Sequence, residues 1–154
     1  SEANMRNTDI QVSGFDQSEW VYGDENQIKQ VLINLIKNAI EAMPEGGVVE
    51  ITKSSTPSHI VVHVTDSGPG IPDEVLKYIG QPFFTTKETG TGLGLSICKK
   101  ILENHKGKME IESTNNGTTI KVILPRYLQK EEVTNEEEKL AETEFDALPK
   151  AENT

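Results

Sequence analysis

The chain has 154 residues, of which 34% are hydrophobic, and a formal net charge of −10. The length suits one domain with room for a sizeable core, whereas the low hydrophobic content indicates that part of the chain lies outside that core. The acidic balance argues against nucleic-acid binding, which needs a basic surface, and no apolar run is long enough to span a membrane. The single cysteine, Cys98, excludes an internal disulfide, which fits a reducing compartment. Its apolar neighbours indicate a small core residue.

The first third of the chain predicts two short strands followed by a long helix. Thr8–Ser13 alternates weakly, and the run Trp20–Tyr22 is predicted to pair with it. Asp24 is placed to cap the helix, with Gln27 completing a capping box. The helix is predicted to end at Pro44, because apolar residues recur at helical spacing up to that point: Ile28, Val31, Leu32, Leu35, Ile36, Ala39, Ile40 and Met43.

The middle of the chain predicts two strands, a short helix and a long loop. Val48–Ser54 and His59–Thr65 are strand-like, and the second is so apolar that we place it centrally. Asp73–Ile79 predicts a short helix. Gly80–Gly94 has no apolar periodicity and much glycine and threonine, which predicts a loop of a length that is usually functional or disordered.

The last part predicts a helix over Leu95–Asn104, and then a hairpin of Lys108–Ser113 and Thr118–Leu124. Runs of strands with a few helices predict an α/β sandwich with a mixed sheet. Residues 129–154 hold nine acidic and three basic residues, so this segment carries −6 of the net charge. We expect a domain over residues 1–128 and an acidic tail, flexible or loosely helical, over residues 129–154.

The segment GTGLGLSI, residues 90–97, places three glycines immediately before a predicted helix. Glycine has the highest ordering entropy of any residue, and its usual role before a helix is to bring backbone N–H groups close to a phosphate. The spacing matches neither the dinucleotide fingerprint nor the P-loop. A plain flexible linker is the alternative.

Two further features involve polar side chains at selected positions. Asn34 and Asn38 lie one helical turn apart on the flank away from the apolar stripe, where their amide oxygens suit Mg²⁺; two surface asparagines are the alternative. Asp66 begins the segment DSGPGI at the end of a buried strand. An ionised carboxylate there suits the exocyclic amine of adenine, and a simple Asp-Gly turn is the alternative.

In their order and spacing, four segments resemble the motifs of bacterial sensor histidine kinases, over roughly Gly23 to Pro125. NLIKNAIEA resembles the N box, DSGPGI the G1 box, PFFTTK the F box and GTGLGLSI the G2 box. NNGTT resembles the last short glycine-containing motif. PFFTTKETGTGLGLSI together with EAMPEGG resembles the Bacillus sporulation-kinase subgroup.

The resemblance implies the α+β Bergerat fold: a two-layer α/β sandwich with a mixed, mostly antiparallel sheet of about five strands on three helices. It implies Asn34, Asn38 and Lys87 as catalytic residues, Asn38 as the Mg²⁺ ligand, and residues 81–94 as a mobile lid. It implies that ATP is bound by Asn34, Asn38, Asp66, Gly68, Gly70, Ile71, Phe84, Thr86, Lys87, Gly90, Thr91, Gly92, Leu93, Gly94, Leu95, and by Thr118 or Thr119 in the base pocket.

One departure separates this chain from relatives that hydrolyse ATP or phosphorylate serine. Those relatives carry a glutamate base where this chain has Asn34, and an amide cannot accept a proton near neutral pH. The position therefore favours transfer of the γ-phosphoryl group to an imidazole. A nucleotide-binding regulatory module and a superfamily ATPase or serine kinase remain the alternatives.

The expected phosphoacceptor histidine on a long helix is missing. His59 and His63 are interpreted as sheet residues, and His105 as a surface charge at a helix C-terminus. The resemblance then implies two partners, the kinase's own dimerisation and phosphoacceptor domain and a response regulator. It also implies a cytoplasmic location, either free or as the cytoplasmic part of a membrane-bound kinase, with no membrane contact by this domain.

Overall fold

The computed structural model describes residues 7–79, 81 and 94–128. No helix in those ranges is long and apolar enough to cross a membrane. The acidic tail predicted over residues 129–154 lies outside them. The elements in chain order are β1 (Thr8–Ser13), α1 (Glu25–Glu41), β2 (Gly47–Ser55), β3 (His59–Asp66), α2 (Asp73–Leu76), α3 (Gly94–Asn104), β4 (Lys108–Thr114) and β5 (Gly117–Pro125).

The strands form one sheet with the order β1-β2-β3-β5-β4. Strand β1 pairs with β2 in parallel, and the other neighbouring strands are antiparallel. The apolar strand β3 lies in the centre, as its composition predicts. The fold class is therefore confirmed as α+β with a mixed, mostly antiparallel five-stranded sheet.

Helices α1 and α3 cover one face of the sheet and enclose the core. Every second residue of β3 and of β5 is buried against them, and the intervening residues face the other side of the sheet. Leu35 on α1 and Leu102 on α3 are fully buried. The four-residue helix α2 has no buried residue, so two of the three predicted helices form the helical layer.

The predicted pairing of Trp20–Tyr22 with β1 is wrong. Trp20 forms an isolated antiparallel bridge with Tyr127, beyond the end of β5. Charged groups hold the segment before it in place: Glu19 lies 3.0 Å from Lys53 Nζ and 3.6 Å from Arg126 Nε. The hydrogen bond from Lys53 lowers the pKa of the Glu19 carboxyl. Glu19 thus contacts β2 and the chain after β5, and the segment does not pair with β1.

The N-terminus of α1 is capped by Asp24 and joined to the end of α3. The Oδ1 atom of Asp24 accepts hydrogen bonds from the backbone of Asn26 and Gln27, as predicted. The Asp24 N–H, which a capping box would pair with Gln27, instead donates to His105 Nε2 at 3.0 Å. His105 Nδ1 lies 2.7 Å from the Ile101 carbonyl oxygen. The side chain of His105 is therefore not a free surface group as predicted, because packing of α3 against the start of α1 occupies both ring nitrogens.

Candidate functional site

Asp66 ends β3 with its side chain on the face covered by the helices. The residue is only 7% exposed, and Asp66 and Thr118 are the two polar residues among the buried ones in the described part of the chain. Its Oδ1 atom accepts a 2.9 Å hydrogen bond from Gly68 N, and the Thr118 N–H also donates to the carboxylate. Burial raises the pKa of the Asp66 carboxyl. Two backbone donors hold the carboxylate in place, and its remaining lone pairs can accept from a ligand.

The loop after Asp66 passes close to the turn between β4 and β5. Gly70 has φ +81°, and a Cβ at this position would overlap with the Thr114 carbonyl oxygen. Gly117 has φ +139°, and its Cβ would overlap with the Asp66 carbonyl oxygen. Only glycine fits both the backbone conformation and the space at these two positions. Gly70, which the resemblance assigns to the base pocket, and Gly117 of the hairpin turn thus set the contact between the loop and the hairpin.

The structure separates the two threonines predicted for the base pocket. Thr118 pairs with Asp66 across β5 and β3 and is buried on the same face of the sheet. Thr119 points to the opposite face, where its hydroxyl lies 3.0 Å from that of Thr65. Of the pair, Thr118 faces the site and Thr119 does not.

Asn34 and Asn38 are half-buried on α1, one turn apart. Asn34 Nδ2 donates to the sulfur of Cys98 on α3 at 3.8 Å, so this side chain lies against α3 and closer to the core than predicted. Cys98 is fully buried, as predicted, and its pKa is raised by that burial. Just after the C-terminal end of α1, the Ala42 carbonyl oxygen is 3.1 Å from where a Cβ of Gly68 would lie. Helix α1 therefore connects the Asp66 loop to α3.

Helix α3 begins at Gly94, the last glycine of the predicted phosphate-binding segment. Gly94 is exposed, and a Cβ there would meet no other described atom within 4 Å. Leu95 packs against the core, and Ile71, on the loop after Asp66, is half-buried. The predicted site residues that lie outside the described residues are Phe84, Thr86, Lys87, Gly90, Thr91, Gly92 and Leu93.

Two contacts at the site were missed by the sequence reasoning. Ser113 Oγ accepts a hydrogen bond from Ile71 N in the loop after Asp66, and the Cys98 sulfur accepts one from Asn34 Nδ2. In the sequence, the position of Ser113 at the end of the predicted strand before Gly117 is only a weak indication of such a contact. The pairing of Cys98 with Asn34 had no local signal, because the two residues are 64 positions apart.

The family comparison decides what these features belong to. Residues 23–128 match the model of the histidine kinase-, DNA gyrase B- and HSP90-like ATPase family. The chain belongs to this family. The matched range contains Asp66, both asparagines of α1 and the segment before α3, so the described site lies within the family's domain.

Relatives of this ATPase-family chain include two kinases of Bacillus subtilis (strain 168). Sporulation kinase C is 58% identical over 106 residues, which are 68% of this chain and 25% of that protein. Sporulation kinase A is 46% identical over 127 residues, which are 82% of this chain and 21% of that protein. The chain thus spans a quarter or less of the length of these two relatives.

Solved structures of histidine kinases have the same fold. The catalytic domain of histidine kinase ThkA matches with a TM-score of 0.73 and 44% identity, covering 81% of this chain and 83% of that one. The ThkA chain from a complex with the response regulator protein TrrA matches with a TM-score of 0.69 and 39% identity, covering 82% of this chain and 36% of that one. The predicted family is therefore confirmed.

Proposed function

We propose that this chain is the ATP-binding catalytic domain of a two-component sensor histidine kinase of the sporulation-kinase type. It transfers the γ-phosphoryl group of ATP to a histidine on a separate dimerisation domain, for relay to a response regulator. The observation that supports this most directly is the buried carboxylate of Asp66, held by two backbone N–H groups at the end of β3. Because the chain belongs to the histidine kinase-, DNA gyrase B- and HSP90-like ATPase family, we propose adenine as the ligand of this carboxylate.

The side chains around Asp66 fit the chemistry of an adenine nucleotide. The free lone pairs of the carboxylate accept from the exocyclic amine, and Thr118 lies beside it on the same buried face. Asn38 supplies an amide oxygen, which Mg²⁺ accepts as a ligand together with phosphate oxygens and water. When bound, Mg²⁺ neutralises charge on the phosphates, and the residues of this chain hold and orient the nucleotide.

Asn34 favours phosphoryl transfer over hydrolysis. Its amide donates to Cys98 and cannot take a proton from water, whereas a glutamate at this position can. An imidazole acceptor needs no strong base, because its ring nitrogen already carries a lone pair. The site then contributes mainly by positioning and by charge stabilisation.

The acceptor histidine is proposed to come from another domain, because the contacts or positions of the three histidines of this chain do not suit an acceptor for a site at Asp66. His105 uses both ring nitrogens in contacts with Asp24 and Ile101. His63 points to the sheet face opposite Asp66, and His59 lies at the far end of β3 from it. The ThkA–TrrA complex supports a response regulator as the second partner. We place the reaction in the cytoplasm, where ATP and these partners meet.

Calorimetric titration with ATP tests the assignment of Asp66. Asp66→Asn should weaken ATP binding at least tenfold, or about 1.4 kcal/mol, because a charge-assisted acceptor is lost. Asp9→Asn is the matched control, since Asp9 is exposed on the edge strand and should leave the affinity unchanged. Unchanged ATP affinity in folded Asp66→Asn would refute the adenine assignment.

A transfer assay tests the reaction itself. With γ-labelled ATP, the chain alone should gain no acid-labile label, and an added phosphoacceptor domain of a sporulation-type kinase should become labelled. Release of inorganic phosphate without transfer would favour an ATPase, and acid-stable label on a hydroxyl would favour a serine kinase. Tight ATP binding with neither product would favour a regulatory nucleotide-binding module.

A further inference from the structure

The hydroxyl group of Ser113, at the end of β4, contacts three other parts of the site. Its Oγ atom accepts a 2.6 Å hydrogen bond from Ile71 N, in the loop after Asp66. It lies 2.9 Å from the Thr118 hydroxyl on β5 and 3.3 Å from the Gly117 carbonyl oxygen at the hairpin turn. The residue is half-buried. This one hydroxyl group therefore joins β4, the hairpin turn and the loop that follows β3.

All three contacts can form at the same time. A hydroxyl has one donor and two acceptor positions. Ser113 donates to the Gly117 carbonyl oxygen and accepts from the Ile71 N–H and the Thr118 hydroxyl, which satisfies each position once. Alanine at this position would leave the Ile71 N–H without its acceptor.

The partners of Ser113 flank Asp66 on both sides. Thr118 donates its N–H to the Asp66 carboxylate from β5, and Gly68 donates from the loop that continues to Ile71. A Cβ at Gly70 or at Gly117 would overlap with backbone atoms across this contact, so the loop and the hairpin pack closely. A shift of the loop relative to the hairpin would therefore change the position of the Asp66 donors.

We propose that Ser113 is a positioning residue for the base end of the nucleotide site, which holds the loop after Asp66 against the β4–β5 hairpin. This inference rests on the proposed function. Ser113 acts through Ile71 and Thr118, and none of its three hydrogen bonds goes to an asparagine of α1, so its loss should weaken nucleotide binding by a Mg²⁺-independent mechanism. A decrease in affinity of about three- to tenfold is expected from one lost hydrogen bond.

Calorimetric titration with ADP, in Mg²⁺ and in chelator, tests the proposal on the full chain. The ADP affinity of Ser113→Ala should be lower than that of wild type by the same factor in both buffers. Ser113→Thr, which keeps the hydroxyl, should have most of the wild-type affinity. Thr56→Ala is the matched control. Its hydroxyl also accepts a backbone N–H, from His59 at 3.0 Å, but at the opposite end of the sheet. It should lower thermal stability and leave ADP affinity unchanged.

Amide exchange gives a second readout without nucleotide. The Ile71 N–H should exchange faster in Ser113→Ala than in wild type, while amides at the centre of β3 keep their protection. If Ser113→Ala is too unstable to assay, Ser113→Cys keeps the volume with a much weaker acceptor and should show the same two effects.

Three outcomes would overturn the role of Ser113: wild-type ADP affinity in Ser113→Ala, a loss seen only with Mg²⁺, or an equal loss in Thr56→Ala. Failure of the wild-type chain to bind ADP at all would instead refute the proposed function. In that case the exchange of Ile71 would still show whether Ser113 holds the loop.

Discussion

Replacement of Gly70 by alanine tests the close contact between the Asp66 loop and the β4–β5 hairpin. Gly70 has φ +81°, a conformation that costs an L-residue about 1–2 kcal/mol. The added Cβ would also overlap with the Thr114 carbonyl oxygen, which is backbone and has no rotamer to move to. The loop must therefore separate from the hairpin or the backbone must change conformation.

Either response should break the 2.6 Å hydrogen bond between Ile71 N and Ser113 Oγ. Leaving that half-buried donor without an acceptor costs about 1–3 kcal/mol. With the backbone strain, the expected loss of unfolding free energy is about 2–5 kcal/mol. For a domain of this size, that corresponds to a decrease of roughly 5–20 °C in Tm.

Urea and thermal unfolding of the nucleotide-free chain measure this loss. Gly94→Ala is the matched control, because a Cβ there meets no described atom and the residue begins α3. Alanine at Gly94 should leave stability within about 0.5 kcal/mol or increase it slightly. A loss below about 0.5 kcal/mol for Gly70→Ala would refute the inferred contact between loop and hairpin.

Three further predictions concern the core, the metal and pH. Leu35→Ala should lower the unfolding free energy by about 2–5 kcal/mol in urea unfolding, because Leu35 is fully buried, whereas Ile33→Ala, at a 63% exposed position, should change it little. Asn38→Ala should weaken ADP binding in calorimetry when Mg²⁺ is present, and equal losses in chelator would point to packing instead. Because burial raises the pKa of Asp66, ATP affinity should fall as the pH is lowered through that raised value, and Asp66→Asn should remove this dependence. The stability of the nucleotide-free chain should show the opposite sign: the contribution of Asp66 is present below the ordinary carboxyl pKa and is lost as pH rises through the raised value, which pH-dependent urea unfolding measures.

Much of the fold could be predicted because its signals are local. The apolar spacing of α1, its Asp24 cap and the hairpin turn at Asn115–Asn116 each depend on residues a few positions apart. The errors concern contacts between distant segments. Trp20 pairs with Tyr127, and the neighbouring Glu19 contacts Lys53 and Arg126; these partners are distant in sequence, so no local pattern encodes the arrangement.

The candidate site divides in the same way. The sequence by itself predicted Asn34, Asn38 and Asp66 as site residues, because their motifs are short and ordered. Which of the threonines at 118 and 119 faces Asp66 was left open, since neighbouring strand residues point to opposite faces and the register of β5 against β3 selects between them.

Only the tertiary structure decided how the loop after Asp66 is held against the β4–β5 hairpin. Ser113 and Ile71 are 42 positions apart, and their hydrogen bond exists because the sheet order places the β4–β5 hairpin beside the end of β3. A serine near a strand end has the same local pattern whether it faces solvent or a partner. Its role is therefore set by what packing brings within hydrogen-bond distance, and the sequence does not carry that information locally.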